Sequence, residues 1–309
     1  MVDKVSSILR QATEKAAVAV LPYFGKMDKH TADHIAVETM RKALNDMDLH
    51  SRIIIGEGEK DNAPMLYEGE MLGHTGTYEI DIAVDPLECT TNFSRGLPNS
   101  MSIIAFSERG GLRKVPGTYM EQWLAGPDMK ENFEPEKGVR YNIEKLCKVE
   151  NKGIGDLVIV VQDRPRHEGL IRELRDMGCG VSLIESGSIS AAMDITLRIG
   201  TYDAMIGTYG APEGLICAAM AVATNSEMKA ILRPHNEEFQ KKWIDLGGKE
   251  NQVMDKKELI HGEHLGLVAT GISGNHFLKG LQKRKTEIQG HTLIISTEGI
   301  GIHTFSLNR

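Results

Sequence analysis

Cysteine is scarce. Cys89, Cys147, Cys179 and Cys217 stand far apart and make no C-x-x-C pair, which argues against a zinc site or disulfide framework and for reduced core thiols. No apolar run reaches the length needed to cross a membrane. The opening residues, Met1-Val2-Asp3-Lys4-Val5-Ser6, lack the apolar centre of a signal peptide, so a cytoplasmic protein is expected. Positive charge is also short: 36 Lys and Arg against 43 Asp and Glu leave a net charge of −7, which argues against a nucleic-acid partner. A phosphorylated ligand would need cations gathered locally. The 11 histidines form no metal-binding spacing and read as surface or hydrogen-bonded groups. No internal repeat, heptad or low-complexity tract is present.

What remains has the composition of a soluble globular chain, 41% hydrophobic and 26% charged, with 32 Gly. Its 309 residues suffice for one large domain or two ordinary ones. Apolar periodicity predicts helices over 5–26 and 30–45, then strands over 52–55, 78–84 and 100–107. Gly110-Gly111 suggests a hairpin into residues 112–115. Residues 121–137, polar and aperiodic, read as an exposed excursion, and a linker near 147–155 would divide 1–150 from 151–309. The second half alternates strands at 157–161, 180–184, 198–206, 228–232 and 265–272 with helices at 168–177, 191–194 and 215–224, and a charged helical stretch runs to 247. Residues 292–296 and 301–306 read as a closing hairpin. This order predicts a layered α/β/α/β/α sandwich rather than one doubly wound sheet.

The stretch with the most chemistry is Asp81-Ile82-Ala83-Val84-Asp85-Pro86-Leu87-Glu88-Cys89-Thr90-Thr91. A strand of period two delivers Asp85 to its end, Pro86 removes a backbone donor and stops the ladder, and Glu88 and the Thr90-Thr91 hydroxyls follow. Two close carboxylates repel unless a cation neutralises them, and such an oxygen-rich turn suits Mg²⁺ or Mn²⁺. A second strand runs into Gly56-Glu57-Gly58-Glu59, so the two strands pool their acids if they are neighbours in one sheet. Arg164-Pro165-Arg166 follows an apolar strand; the planar guanidinium fork suits phosphate. Ser186-Gly187-Ser188 precedes a helix, where amides can meet an anion and a hydroxyl can cap.

The run Asp85-Pro86-Leu87-Glu88-Cys89-Thr90 resembles the Asp-Pro-[Ile/Leu]-[Asp/Glu]-Gly-Thr signature of the lithium-sensitive, metal-dependent sugar and inositol phosphatases. With Glu at the fourth position it looks most like class II fructose-1,6-bisphosphatase, the bacterial GlpX type. Cys89 stands where that family usually has Gly, which implies either torsions tolerated here or a small side chain packed beneath the site. By residue type alone Lys29 and Asp33 are ordinary helix-start charges, and Glu213 could simply favour a helix dipole. The resemblance makes Asp33, Glu57, Asp85, Glu88 and Glu213 metal ligands for Mn²⁺ or Mg²⁺. It gives Lys29, Asp33, Glu57 and Thr90 catalytic roles. Glu88, Cys89, Thr90, Tyr119, Arg164, Pro165, Arg166, Ser186, Gly187, Ser188 and Gly210 would hold substrate.

The resemblance further implies the sugar phosphatase sandwich, with a metal-site subdomain over 1–150, a sugar-phosphate-binding subdomain over 151–309 and the site between them. The expected activity is hydrolysis of fructose 1,6-bisphosphate in gluconeogenesis and glycerol metabolism, by a cytoplasmic homo-oligomer. Alternatives are a related phosphatase acting on sedoheptulose 1,7-bisphosphate, inositol phosphate or nucleotide bisphosphate, and a metal- or sugar-phosphate-binding sensor without turnover.

Overall fold

The apolar stripe that begins the chain forms helix α1, Val2–Val20, with Val5, Leu9, Ala12 and Ala16 fully buried. In the computed structural model, which describes residues 1–56, 65–73, 76–129 and 133–308, a 3₁₀ turn at Leu21–Tyr23 follows. Helix α2, Lys29–Asn45, is capped by the Asp28 carboxylate, which accepts from Thr31 N–H at 3.1 Å. Strands β1 (His50–Ile55), β2 (Met71–Leu72) and β3 (Glu79–Glu88), the short helix α3 (Thr90–Arg95) and strand β4 (Met101–Glu108) complete the opening segment.

A second compact unit spans Val115–Ile260. It holds β5 (Tyr119–Ala125), α4 (Gly138–Glu150), β6 (Val158–Gln162), α5 (Glu168–Asp176), β7 (Gly180–Ile184), α6 (Ser188–Thr196) and β8 (Ala204–Gly210). It continues through α7 (Ala211–Ala223), β9 (Glu227–Arg233), α8 (Glu237–Asp245), β10 (Val253–Asp255) and α9 (Lys256–Leu259). The chain then rejoins the first unit, Met1–Lys114 with His261–Arg309, as β11 (Leu265–Gly271), β12 (Gln282–Lys283), β13 (Glu287–Ser296) and β14 (Gly299–Asn308).

Each unit has its own mixed sheet. Among the described residues the first runs β12-β13-β11-β4-β3-β1-β2, with β14 on β13, and the second β10-β9-β5-β8-β6-β7. In the first, α1 and α2 pack Leu9, Ala12, Val37 and Met40 against Ile53, Ile82, Ile104 and Val268 of four strands. In the second, Ile143 and Leu146 of α4 and Ile171 and Leu174 of α5 cover Trp123, Ile159, Val161 and Ile206 on one face. Helix α7 lies on the other: a Cβ on its Gly214 would be 2.5 Å from Met120 Sδ and 2.9 Å from Gln122 Nε2, residues that alternate with Trp123 along β5. The helix and sheet layers expected of an α/β/α/β/α sandwich are thus present, two in the first unit and three in the second. Among the described residues no helix is long and apolar enough to cross a membrane.

Several local expectations are corrected. Residues 121–125, expected to open an exposed excursion, instead belong to the strand β5, held between β8 and β9. Glu121, which breaks its apolar pattern, accepts from Trp123 Nε1 at 2.8 Å and Arg233 Nε at 2.9 Å. Residues 112–115 make no hairpin with β4, because β4 is already flanked by β3 and β11. The strand expected over 198–206 is displaced to Ala204–Gly210. Residues 147–150, expected in a linker, close helix α4 inside the second unit, whereas the compact units meet at Lys114/Val115 and Ile260/His261. The closing hairpin is present as β13 and β14.

Candidate active site

In the first unit the acidic turn is built on a bulge. Asp85 pairs with Ile103 of β4, and the next pair along the ladder is Glu88 with Met101, so β3 carries one residue more than its partner there. Pro86 falls in that step, and on the other side β1 makes its last pair at Ile55 with Ala83. No ladder bond is asked of Pro86, so it does not end the strand as expected; β3 runs on to Glu88. Asp85 is half-buried and Glu88 is 6% exposed.

Cys89 follows with φ 66° and ψ 41°. This is the left-handed region that disfavours a Cβ by roughly 1–2 kcal/mol, and the thiol is buried. The torsions reverse the chain and start α3 at Thr90. Thr90 Oγ1–H donates to Leu87 O at 2.8 Å. Leu87 and Phe93, on either side of it, share an apolar cluster with Ala32 and Ala36 of α2. That cluster seats the turn against the helix whose first residues are exposed Lys29 and half-buried Asp33. Gly25 N–H to Phe93 O at 3.0 Å and Met27 N–H to Ser94 O at 2.8 Å tie the approach to α2 onto α3.

Strands β1 and β3 are parallel neighbours, as the pooling of their acids requires. Glu57 and Glu59 themselves lie outside the described residues. A Cβ on Gly56 would be 2.4 Å from Leu66 O, so only glycine fits where β1 hands over to that segment. Among the described residues no three His, Cys, Asp or Glu side chains gather as a metal-binding group. Asp33, Asp85 and Glu88 belong to the first unit and Glu213 to the second.

In the second unit the expected substrate residues collect at one end of the sheet. Parallel strands β6 and β8 are neighbours, but their ladder stops at Val160 with Met205. Helix α5 leaves β6 for one face, and α7 leaves β8 for the other. The diverging strand ends form the crevice in which open α/β sheets bind ligands. Arg164, Pro165 and Arg166 follow β6, Ser186, Gly187 and Ser188 follow β7, Gly210 ends β8 and Glu213 follows it. Tyr119, opposite Gly210 in the antiparallel register, is 42% exposed and therefore open to a ligand.

The arginines are held by backbone and amide groups. Arg166 donates from Nε to Thr208 O at 2.9 Å and from Nη2 to Gln162 Oε1 at 2.8 Å, with its guanidinium 4.9 Å over the Tyr119 ring. Arg164 donates from Nη2 to Glu185 O at 2.8 Å and from Nη1 to Asp163 O at 3.0 Å. Gly187, with φ 86°, is the N-cap of α6 and brings no side chain of its own to the cap. The helix start is set by a left-handed glycine.

Gly210 has a second use. A Cβ there would be 1.9 Å from Glu213 Oε2, so the bare backbone makes room for that carboxylate over the start of α7. Glu213 Oε2 is buried with no hydrogen-bond partner among the described residues. A buried carboxylate oxygen without a donor is costly, and a hard cation satisfies it. The expected donors are all carboxylate oxygens, which fit Mg²⁺ or Mn²⁺. Gln162, His167 and Thr208, which frame the arginines, carry no motif in the sequence. A side chain that holds backbone groups of two strand ends leaves no periodic signal.

A mixed α/β chain with carboxylates at strand ends in one unit and an arginine pair at a strand crevice in the other has the parts of a phosphate-processing enzyme. The profile of "bacterial fructose-1,6-bisphosphatase, glpX-encoded" matches residues 3–305, and the chain belongs to that family. It is 35% identical to the D-fructose 1,6-bisphosphatase class 2/sedoheptulose 1,7-bisphosphatase of Trichormus variabilis, over 93% of this chain and 91% of the relative. It is also 35% identical to a protein described as D-fructose 1,6-bisphosphatase class 2/sedoheptulose 1,7-bisphosphatase 1 from Acaryochloris marina, over 93% and 90%. Among solved structures, the extragenic suppressor protein suhB of Bartonella henselae aligns at 15% identity and a TM-score of 0.36, covering 62% of this chain and 71% of that one.

Proposed function

We propose that the chain hydrolyses fructose 1,6-bisphosphate to fructose 6-phosphate and inorganic phosphate, with Mn²⁺ or Mg²⁺ held by Asp33, Glu57, Asp85, Glu88 and Glu213. Membership of the family supports the reaction. The observation that carries the mechanism is the hydrogen bond from Thr90 Oγ1–H to Leu87 O. With its proton committed there, the hydroxyl oxygen can only accept, so it receives an O–H of the attacking water and aims the water's lone pair at phosphorus. The water's proton passes to a neighbouring carboxylate of the set, with Glu57 and Asp33 the candidates. The bound cation supplies charge neutralisation at the phosphoryl oxygens and a lower pKa for water. A phospho-threonine is disfavoured, because the hydroxyl's proton is committed to the Leu87 carbonyl, a weak base that leaves the hydroxyl a weak nucleophile. Lys29, at the start of α2, adds a positive charge for the reacting phosphate.

Arg164, Arg166, Tyr119 and the Ser186-Gly187-Ser188 turn hold the second phosphate and the sugar, with Pro165 stiffening the arginine pair. Their binding energy fixes the reacting end. Sedoheptulose 1,7-bisphosphate is a second substrate, because the relatives from Trichormus variabilis and Acaryochloris marina carry both activities in their names. We also propose a cytoplasmic homo-oligomer. Phosphate release from both sugar bisphosphates, inositol phosphate and a nucleotide bisphosphate, each with Mn²⁺, Mg²⁺ or EDTA, tests the reading. Metal-dependent release from fructose 1,6-bisphosphate is expected. Binding without release makes the chain a sensor, and release only from another substrate moves the assignment within the superfamily.

A further inference from the structure

His167 is 3% exposed and stands where β6 and β8 part. Past Val160 and Met205 the two strands have no ladder pair, and the imidazole bridges the gap. Its Nε2 accepts from Thr208 N–H at 2.8 Å, and its Nδ1 lies 2.7 Å from Gln162 O. A backbone N–H can only donate and a carbonyl can only accept, so the partners select the neutral tautomer with hydrogen on Nδ1. Arg166 grips the same two residues by other atoms, Thr208 O and Gln162 Oε1. Histidine and arginine together close a four-bond clamp on two strand ends, and the rest of the Arg166 donors are left for an anion.

We infer that His167 is a positioning residue for substrate binding, which replaces the missing β6–β8 ladder and so fixes the two anchors that hold Arg166. This rests on the proposed role of Arg166 in holding the second phosphate. The seat is tight: a Cβ on Gly207 would be 3.1 Å from His167 Nε2 and 3.2 Å from the Tyr209 ring. The charged groups facing the imidazole are Arg164 and Arg166 of its own segment. From β8 it meets the Tyr209 ring, 5.9 Å between centroids, and from β6 the Gln162 carbonyl. Burial and the two arginines hold its pKa below the ordinary histidine value, and burial raises that of the Tyr209 phenol, which stays neutral. Protonation would turn Nε2 into a donor aimed at the Thr208 donor and open the clamp.

The test uses the full chain with saturating Mn²⁺. His167→Gln keeps an acceptor near Nε2, His167→Asn keeps a donor near Nδ1, and His167→Ala keeps neither. We expect KM for fructose 1,6-bisphosphate to rise about tenfold in the alanine variant, as for loss of roughly one well-made hydrogen bond. A smaller rise is expected in the other two, with kcat held within about threefold. The wild-type KM should climb only once pH falls well below the ordinary histidine value of about 6.5, and more steeply than that of His167→Gln; the comparison cancels the titration of the substrate's own phosphates. Nitrogen-15 NMR should show a neutral imidazole protonated on Nδ1. Unchanged KM in the folded variants, or an Nε2-protonated ring titrating freely, overturns the inference. Should His167→Ala not fold, the glutamine and asparagine variants decide it. Arg166→Ala separates the two layers. If it raises KM and the His167 variants do not, only the role of His167 fails. If it leaves KM unchanged, the phosphate-binding reading fails and the inference with it.

Discussion

Cys89 holds a backbone conformation that ordinarily selects glycine, in the turn that presents Thr90. The usual order of substitutions should therefore invert: Cys89→Gly is expected to be more stable than Cys89→Ala by about 1 kcal/mol, read from urea unfolding of both variants. Thr90→Ala should bind Mn²⁺ normally and lose about 10²–10⁴-fold in kcat, while Thr90→Ser keeps part of it; near-normal turnover would remove the hydroxyl from the mechanism. Gly210→Ala places a methyl group on the Glu213 carboxylate. That side chain can swing away at small cost, so Tm should hardly move, yet Mn²⁺ affinity should fall about tenfold, measured by titration calorimetry. These residues were legible to different degrees. The Asp-Pro-Leu-Glu run marked its turn by spacing alone, whereas the bulge that lets β3 pass Pro86 depends on the neighbouring strands.

At the scale of elements, β3 is fastened at the end away from the turn. Asp81, fully buried, accepts from Arg52 Nε and Nη2 at 2.9 and 2.8 Å, from Arg109 Nη1 at 3.2 Å and from Gly110 N–H at 2.7 Å. Asp81→Ala leaves two partly buried guanidinium groups without their carboxylate and should cost about 3 kcal/mol. The activity of the folded fraction should persist; the unfolding midpoint and kcat, measured together, check this. Strong periodicity made α1, α2, β6 and β7 readable from the residues. Strand β5 was not, because Glu121 and Gln122 interrupt its apolar face and their partners, Arg233 and the Gly210 carbonyl, come from distant positions. Strand β8 starts later than residue types suggest for a related reason: Ile199, Thr201 and Tyr202 are strand-forming, but Arg198 is held by Glu150 and Asp128.

For the whole molecule, the two cores are built from aliphatic and aromatic side chains, and Asp33, Asp85, Glu88 and Glu213 stand outside both clusters. Chelation with EDTA should therefore abolish phosphate release while far-ultraviolet circular dichroism stays native and Tm drops by only a few degrees. Unfolding on chelation would mean that the metal is structural. The mixed α/β class was legible in the order of helices and strands. The division into units was not, because it depends on β4 choosing β11 as its partner, a pairing between segments some 160 residues apart that no local pattern announces.

That pairing also orders events at the ribosome. Until residue 271 has emerged, the β4 flank waits without its neighbour, while every strand of the inserted unit is already available. The guest can therefore finish folding before its host. A nascent chain stalled when Ile260 has just cleared the ribosome should yield a protease-resistant fragment from the insert and a sensitive amino-terminal remainder.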